Sequence, residues 1–203
     1  VYDEPFADSS QIPTLLLSRF TKKKVSVALS GDGGDEIFCG YNRYNLGYKL
    51  FNYLNKVPLP LRPLLSKIIQ KIPVSSFEKF IQSFYNGEFP GVKSKLEKLS
   101  NISNMTDKYD YYKSLISCFH EPNKYLNMHS DVDNNILDNL DHFKECDFRE
   151  IMMQLDLSSY LLDDILVKVD RASMSTGLEL RLPFLDHKLI EWSWSLPFEY
   201  KVR

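Results

Sequence analysis

The stretch Val25-Ser26-Val27-Ala28-Leu29-Ser30-Gly31-Asp32-Gly33-Gly34-Asp35-Glu36 does most to limit what this chain can become. Its first five residues, with β-branched side chains, read as a short buried strand. Three glycines within Ser30–Glu36 then stop that strand. From Ile37 to about Leu54 the pattern is helical and aromatic, with Phe38, Tyr41, Tyr44, Tyr48, Phe51 and Tyr53. Strand, glycine-rich turn and helix in that order are the units of an α/β fold.

Two readings fit the turn. Glycines let the backbone approach a ligand closely, and Ser30 adds a hydroxyl. Asp32, Asp35 and Glu36 crowd carboxylates into the same turn. Such a cluster repels a bare phosphate. It suits a magnesium-bound one, because Mg²⁺ takes one or two carboxylates together with phosphate oxygens. The turn is not a Walker A loop, since no Gly-Lys-Ser/Thr follows, and it is not GxGxxG. The plainer reading is a tight turn whose acids cap the next helix. The residues alone leave both open.

A second constellation lies near the other end. Asp164, Lys168 and Arg171 recur at spacings that share one helix face, acid first. The plain reading is a solvated, salt-bridged surface helix. Glu179 and Arg181 alternate with Leu178, Leu180 and Leu182, as a short strand or an extended turn would.

Elsewhere the pattern is mainly helical. Ser9 and Ser10 are candidate N-caps for a helix carrying Ile12, Leu15, Leu16 and Phe20, with Lys22 to Lys24 at its C-terminal end. Pro58 and Pro60 end the aromatic helix. Amphipathic stretches near 62–72, 76–86, 91–99 and 107–119 follow, with a polar joint at Ser100–Asn104 and a polar loop at 131–135. Residues 148–157 and 161–169 read as helical. Pro183 opens a last helix through Trp192 that Ser195-Leu196-Pro197 closes. The Tyr41-Tyr44-Tyr48 stripe reads as core packing, Trp192 and Trp194 as packing of the final helix, and His129 and His187 as surface residues.

Composition sets further bounds. With 43% apolar and 26% charged residues the chain can bury a core and is not disordered as a whole. A net charge of −2 argues against nucleic acid as the main partner. Cys39, Cys118 and Cys146 are odd in number and widely spaced, so they fit unpaired thiols in a reducing compartment. Cys118 with His120, and His142 with Cys146, lack further ligands at a spacing suited to zinc. No run is long and apolar enough to span a membrane, and the acidic start carries no signal peptide. The lack of an initiator Met and the abrupt ending at Tyr200-Lys201-Val202-Arg203 suit a chain cut at both ends.

Taken together, three stretches resemble the asparagine synthetase family. SGDGGDEIFCGYNRY is similar to its second nucleotide motif, and DDILVKVDRASMSTGLELRLPFLDHKLIEW to a later block of the form KxDRxSMxxxxExRxPFLDxxLxE. DEPFADSSQIPTLLLSR is similar to the segment just before the first. They lie in family order and cover about a third of the chain.

The resemblance implies an α/β fold, part of an ATP-pyrophosphatase parallel sheet (adenine nucleotide alpha hydrolase-like), mostly helical here. It makes 1–203 a partial synthase domain. Residues 1–56 would form a nucleotide wall, 57–146 a helical insertion and 147–203 a second wall. It implies that ATP and Mg²⁺ adenylate the side-chain carboxylate of aspartate, and that ammonia from a glutaminase domain in the parent chain displaces AMP. By position, Ser30 and Gly31 would contact ATP, with Asp164 also on the cofactor side. Asp32 and Lys168 would be catalytic, and Asp35 with Glu36 would hold Mg²⁺. Asp170, Arg171, Glu179 and Arg181 would support that wall. The expected setting is cytoplasmic, without nucleic-acid or membrane partners, and the resemblance allows a homodimer.

Three departures qualify this. The family's SGGxDS pyrophosphate loop would lie upstream of Val1, its later catalytic lysine beyond Arg203, and Cys39 stands where the family often has glycine. A chain with one wall of the site is expected to be inactive alone. The competing readings are a relative acting on another carboxylate, such as a sugar acid or a β-lactam precursor, and a non-catalytic nucleotide-binding scaffold.

Overall fold

A computed structural model describes residues 1–3, 6–76, 92–117 and 146–202. The chain divides into two compact units, Val1–Asn45 with Asn134–Arg203, and Leu46–Asp133.

In the first unit, helix α1 (Gln11–Lys22) carries Arg19 and Lys22 in its last turn, where cations complement the carbonyl end. Ser10 occupies its N-cap position, but its side chain does not cap the helix. Its hydroxyl and its N–H both donate to Asp8 instead.

Strand β1 (Val27–Leu29) pairs in parallel with β2 (Glu179–Arg181), in the register Val27↔Glu179, Ala28↔Leu180, Leu29↔Arg181. Residues 179–181 are thus a strand and not merely an extended turn. Among the described residues the sheet has these two strands, so the architecture is a mostly helical α/β fold with a small parallel sheet.

The aromatic helix expected from Ile37 onward begins only at Asn42, as α3 (Asn42–Asn55), and a short helix α2 (Gly34–Ile37) precedes it within the glycine-rich stretch. Cys39, between them, has φ 56°, and a left-handed residue cannot continue a right-handed helix.

Helix α7 (Phe148–Ser158) starts with a capping box, Asp147 and Glu150 each accepting from the other's side of the turn. A π-helical segment, Leu161–Leu166, follows and leads into α8 (Val167–Met174). Pro183 opens a 3₁₀ turn (Pro183–Leu185) and not the last helix itself. That helix, α9 (His187–Ser195), is capped by Asp186, which accepts from the Lys188 N–H at 2.9 Å. The unit's core includes Leu161, Ile165 and Val169, packed by Leu157, Tyr160, Leu180 and Leu185.

The second unit is helical, with α4 (Arg62–Lys71), α5 (Val92–Ile102) and α6 (Lys108–Ile116). Buried Arg62 donates to the Val57 and Met105 carbonyls and to Asn55. Ile69, Val92 and Leu96 form its apolar cluster, and Ser66 meets Ser100 at 2.8 Å. The polar joint expected at Ser100–Asn104 begins inside α5, which runs to Ile102. Asp107 caps α6 by accepting from the Tyr109 and Asp110 N–H groups.

The helix expected near 76–86 beyond Ser76, the loop at 131–135, Cys118, His120, His129 and His142 lie outside the described residues. Among those described, no helix is long and apolar enough to cross a membrane.

Candidate functional site

The first unit builds the site by seating the glycine turn against the end of β2 and the Pro183–Leu185 turn. The Ser30 N–H donates to the Arg181 carbonyl at 3.0 Å, carrying the parallel ladder one step past β1. Gly33 has φ 89°, a region open to glycine at no steric cost. A Cβ there would stand 2.3 Å from Leu185 Cδ2, and one on Gly34 would stand 3.3 Å from the Phe184 ring. The residues 30–36 and the residues 164–185 are therefore neighbours in space.

Ser30, Asp32 and Lys168 line one cavity of about 300 Å³, with Thr14, Ser18 and Val169 among its other walls. The Ser30 hydroxyl donates to Asp32 Oδ2 at 2.5 Å, so the serine orients that carboxylate. Gly31 is exposed, and a Cβ on it would meet only the edge of Phe184, at 4.0 Å. Gly33 is thus required by the packing of the turn, whereas Gly31 leaves open backbone at the surface.

Asp35 and Glu36 part company. Asp35 is exposed, and its Oδ1 lies where a Cβ on Gly40 would come within 2.0 Å. Gly40 thereby leaves room for the carboxylate. Glu36, expected beside it as a second metal ligand, points inward instead. It is 1% exposed and accepts from the Tyr41 hydroxyl at 2.7 Å. Burial raises its pKa, more than the Tyr41 bond lowers it. Among the described residues no three His, Cys, Asp or Glu side chains form a metal-binding group. A Mg²⁺ bound with phosphate needs only one or two protein carboxylates, so Asp35 fits that ion and Glu36 does not.

Lys168 is buried, not on a solvated face, at 7% exposure. Its ammonium pairs with Asp8 at 2.6 Å and not with Asp164, the partner that helical spacing suggests. The π segment before α8 inserts an extra residue per turn and so changes which side chains stack. Burial works to raise the Asp8 pKa, but the bonds from Lys168 and Ser10 outweigh it and hold the carboxyl below its usual range. Asp164 is pushed the other way, first by burial and then by the Asp8 charge. One of its oxygens, Oδ1, is buried with no hydrogen-bond partner.

Behind these residues stands Arg43. Its guanidinium lies 4.0 Å from the Tyr41 ring centroid and 4.5 Å from that of Tyr160, and it pairs with fully buried Asp156. Tyr44 donates to the same Asp156 oxygen at 2.6 Å. Of the tyrosine stripe, Tyr44 is core as its spacing suggests and Tyr41 is half-buried beside it, both set around an arginine, while Tyr48 is half-buried. Trp192 is 53% exposed and touches Phe38 edge-on, while Trp194 packs against Lys201. Asp8 and Arg43 lie within two of the family-like stretches, yet the sequence gives neither a role, because each meets its partner across more than a hundred residues.

Comparison with known proteins gives one consistent answer. The Asparagine synthase family matches residues 1–203. The chain is 31% identical over 212 residues to asparagine synthetase [glutamine-hydrolyzing] 1 of Bacillus subtilis, covering 100% of this chain and 30% of that protein. A putative asparagine synthetase [glutamine-hydrolyzing] of Mycobacterium tuberculosis is 30% identical over 211 residues, 98% of this chain and 28% of its own. A second putative synthetase of that name, from Methanocaldococcus jannaschii, is 33% identical over 185 residues, 91% of this chain and 32% of its own. No solved structure matches. The chain spans less than a third of the length of the first two of these relatives. With the family matched end to end, and its two motif blocks joined through one short parallel sheet, the chain belongs to the asparagine synthase family.

Proposed function

We propose that this chain is one wall of the synthetase site of a glutamine-dependent asparagine synthetase. The whole protein would use ATP to activate the side-chain carboxylate of aspartate as its adenylate, with release of pyrophosphate. Ammonia derived from glutamine would then displace AMP. The observation that carries this reading is the single cavity holding Ser30, Asp32 and Lys168, from motif blocks far apart in the chain.

Each residue has a part the geometry supports. Ser30 and the open backbone at Gly31 receive the nucleotide. Asp32, fixed by Ser30, orients the incoming amine and takes its proton. Lys168 offsets charge that develops on the carboxylate or phosphate. Asp164, by the family's pattern, would stand on the nucleotide side, although it is not among the residues lining that cavity. Asp35 is the carboxylate for Mg²⁺, which when bound neutralises phosphate charge. Glu36 supports the turn from inside. Phosphoryl-type chemistry needs charge clamped from several sides, so residues 1–203 alone are inactive.

The test is pyrophosphate release and asparagine formation by the gene's full-length product with MgATP, aspartate, and glutamine or ammonium. Turnover with aspartate is expected. Turnover only with another carboxylate replaces the acceptor, nucleotide binding without turnover favours a scaffold, and turnover by residues 1–203 alone refutes the one-wall reading.

A further inference from the structure

We infer that Asp8 is a positioning residue, anchoring the Lys168 ammonium at the wall of the cavity that also holds Ser30 and Asp32. The inference rests on the nucleotide reading of that cavity and gives a role to a residue that lies in the first family-like stretch along the chain but has none assigned there.

A buried ammonium must be paired and hydrogen-bonded. The Lys168 side chain is 9% exposed and Asp8's 15%, and they meet at 2.6 Å. Asp8 is itself pinned, with Oδ1 accepting the Ser10 N–H at 2.7 Å and Oδ2 accepting the Ser10 hydroxyl at 2.8 Å. Ser10 adjoins the start of α1, and α1 packs along α8.

The same N-terminal segment holds α8 at two more points. The Tyr2 hydroxyl donates to the Lys168 carbonyl at 3.1 Å, and Arg171 pairs with Asp3. Lys168 is therefore fixed at both backbone and side chain by residues outside its own helix. Asp164 feels the Lys168 charge but makes no direct bond to it, so the direct contact that sets where the ammonium stands is Asp8. A lysine fixed in this way meets an incoming phosphate or carboxylate without first having to be ordered.

The experiment uses the full-length product in a double-mutant cycle, Asp8→Asn, Lys168→Met and both, read by MgATP affinity and by kcat/KM for aspartate. Asp8→Asn should weaken both readouts by about tenfold or more, because small misplacements of a charged group act strongly. In the Lys168→Met background the same change should add less than about twofold, the non-additivity of residues acting through one contact. Asp8→Glu, which keeps the charge, should recover part of the loss. Single-mutant effects that multiply, or an Asp8→Asn variant that matches wild type, overturn the inference.

If Asp8→Asn does not fold, Ser10→Ala loosens the anchor without removing it. Its loss of MgATP affinity should vanish in the Lys168→Met background, and no loss at all overturns the inference. Wild type that binds MgATP but makes no asparagine defeats the proposed function while leaving the affinity cycle to decide on Asp8. Asparagine formation with a multiplicative cycle does the reverse, and no MgATP binding overturns both.

Discussion

A Cβ on Gly33 would come within 2.3 Å of Leu185 Cδ2, so the glycine turn and the Pro183–Leu185 turn fit only because Gly33 has no side chain. Leu185 packs on the Leu161, Ile165 and Val169 cluster, so moving it aside for a new methyl group disturbs that packing. Gly33→Ala therefore meets two penalties, a left-handed backbone at φ 89° and overpacking. Together they should destabilise the protein by about 2–4 kcal/mol in a denaturant melt. Gly31→Ala is the contrast. It should leave stability within about 0.5 kcal/mol, as an exposed substitution does. Yet it should weaken MgATP binding by about tenfold, because a methyl group then stands where the backbone meets the ligand.

The neighbours Asp35 and Glu36 should separate just as cleanly. Asp35→Asn is expected to raise the Mg²⁺ concentration needed for half-maximal turnover, and Glu36→Gln to leave it nearly unchanged. Glu36 should show itself in stability instead. Its pKa is raised by burial, so on unfolding the carboxyl gives up its proton more readily than in the native state. The stability linked to this group is intact below the unfolded pKa of about 4.3 and declines as pH rises through the folded value. The unfolding free energy of wild type should thus fall relative to Glu36→Gln as pH is raised from about 4.3. A constant difference across that range would show that Glu36 is not protonated in the native state.

Local signals carried the sequence reading as far as local physics reaches. The strand at 27–29, the glycine turn and helix α1 depend on near neighbours and lie where the pattern puts them. The strand, however, expected to be buried, leaves Val27 41% and Leu29 72% exposed, since among the described residues it pairs with β2 alone. The break at Cys39 was signalled only by the glycine that the resembling family often has there, since in this chain no glycine marks the left-handed backbone. The pairing of Lys168 was misplaced for a related reason. Helical spacing assigns it to Asp164, but the π segment and a distant aspartate decide otherwise. The inward turn of Glu36 needed Tyr41 and a packed interior, which a run of acids cannot display.

Arg43 offers a test of the core behind the site. It is held between two tyrosine rings and paired with Asp156, whose side chain is 0% exposed. Arg43→Met keeps bulk against the rings but removes the charge. Breaking a buried ion pair by truncating one partner costs about 3–5 kcal/mol. Arg43 remains partly solvated and Tyr44 still bonds Asp156, so the loss should be near about 3 kcal/mol. A loss below about 1 kcal/mol, typical of exposed pairs, would mean that the tyrosine rings carry the core without the arginine.

Cys39 brings strain and chemistry to one position. Its thiol is buried, and burial pushes its pKa up to about 11. Only about one thiolate in a thousand exists at pH 8, against roughly one in four for a free thiol. Peptide mapping after alkylation at that pH should find Cys39 modified in unfolded protein and nearly unmodified in native protein. The residue also sits at φ 56°, which for a non-glycine residue costs about 1–2 kcal/mol. Cys39→Gly would relieve that strain. It would also lose the buried side chain, about 1 kcal/mol, and free the unfolded backbone by about 0.5–1 kcal/mol more. The terms nearly cancel, so the variant should lie within about 1 kcal/mol of wild type, whereas a glycine replacing a buried residue at ordinary φ would be clearly destabilising.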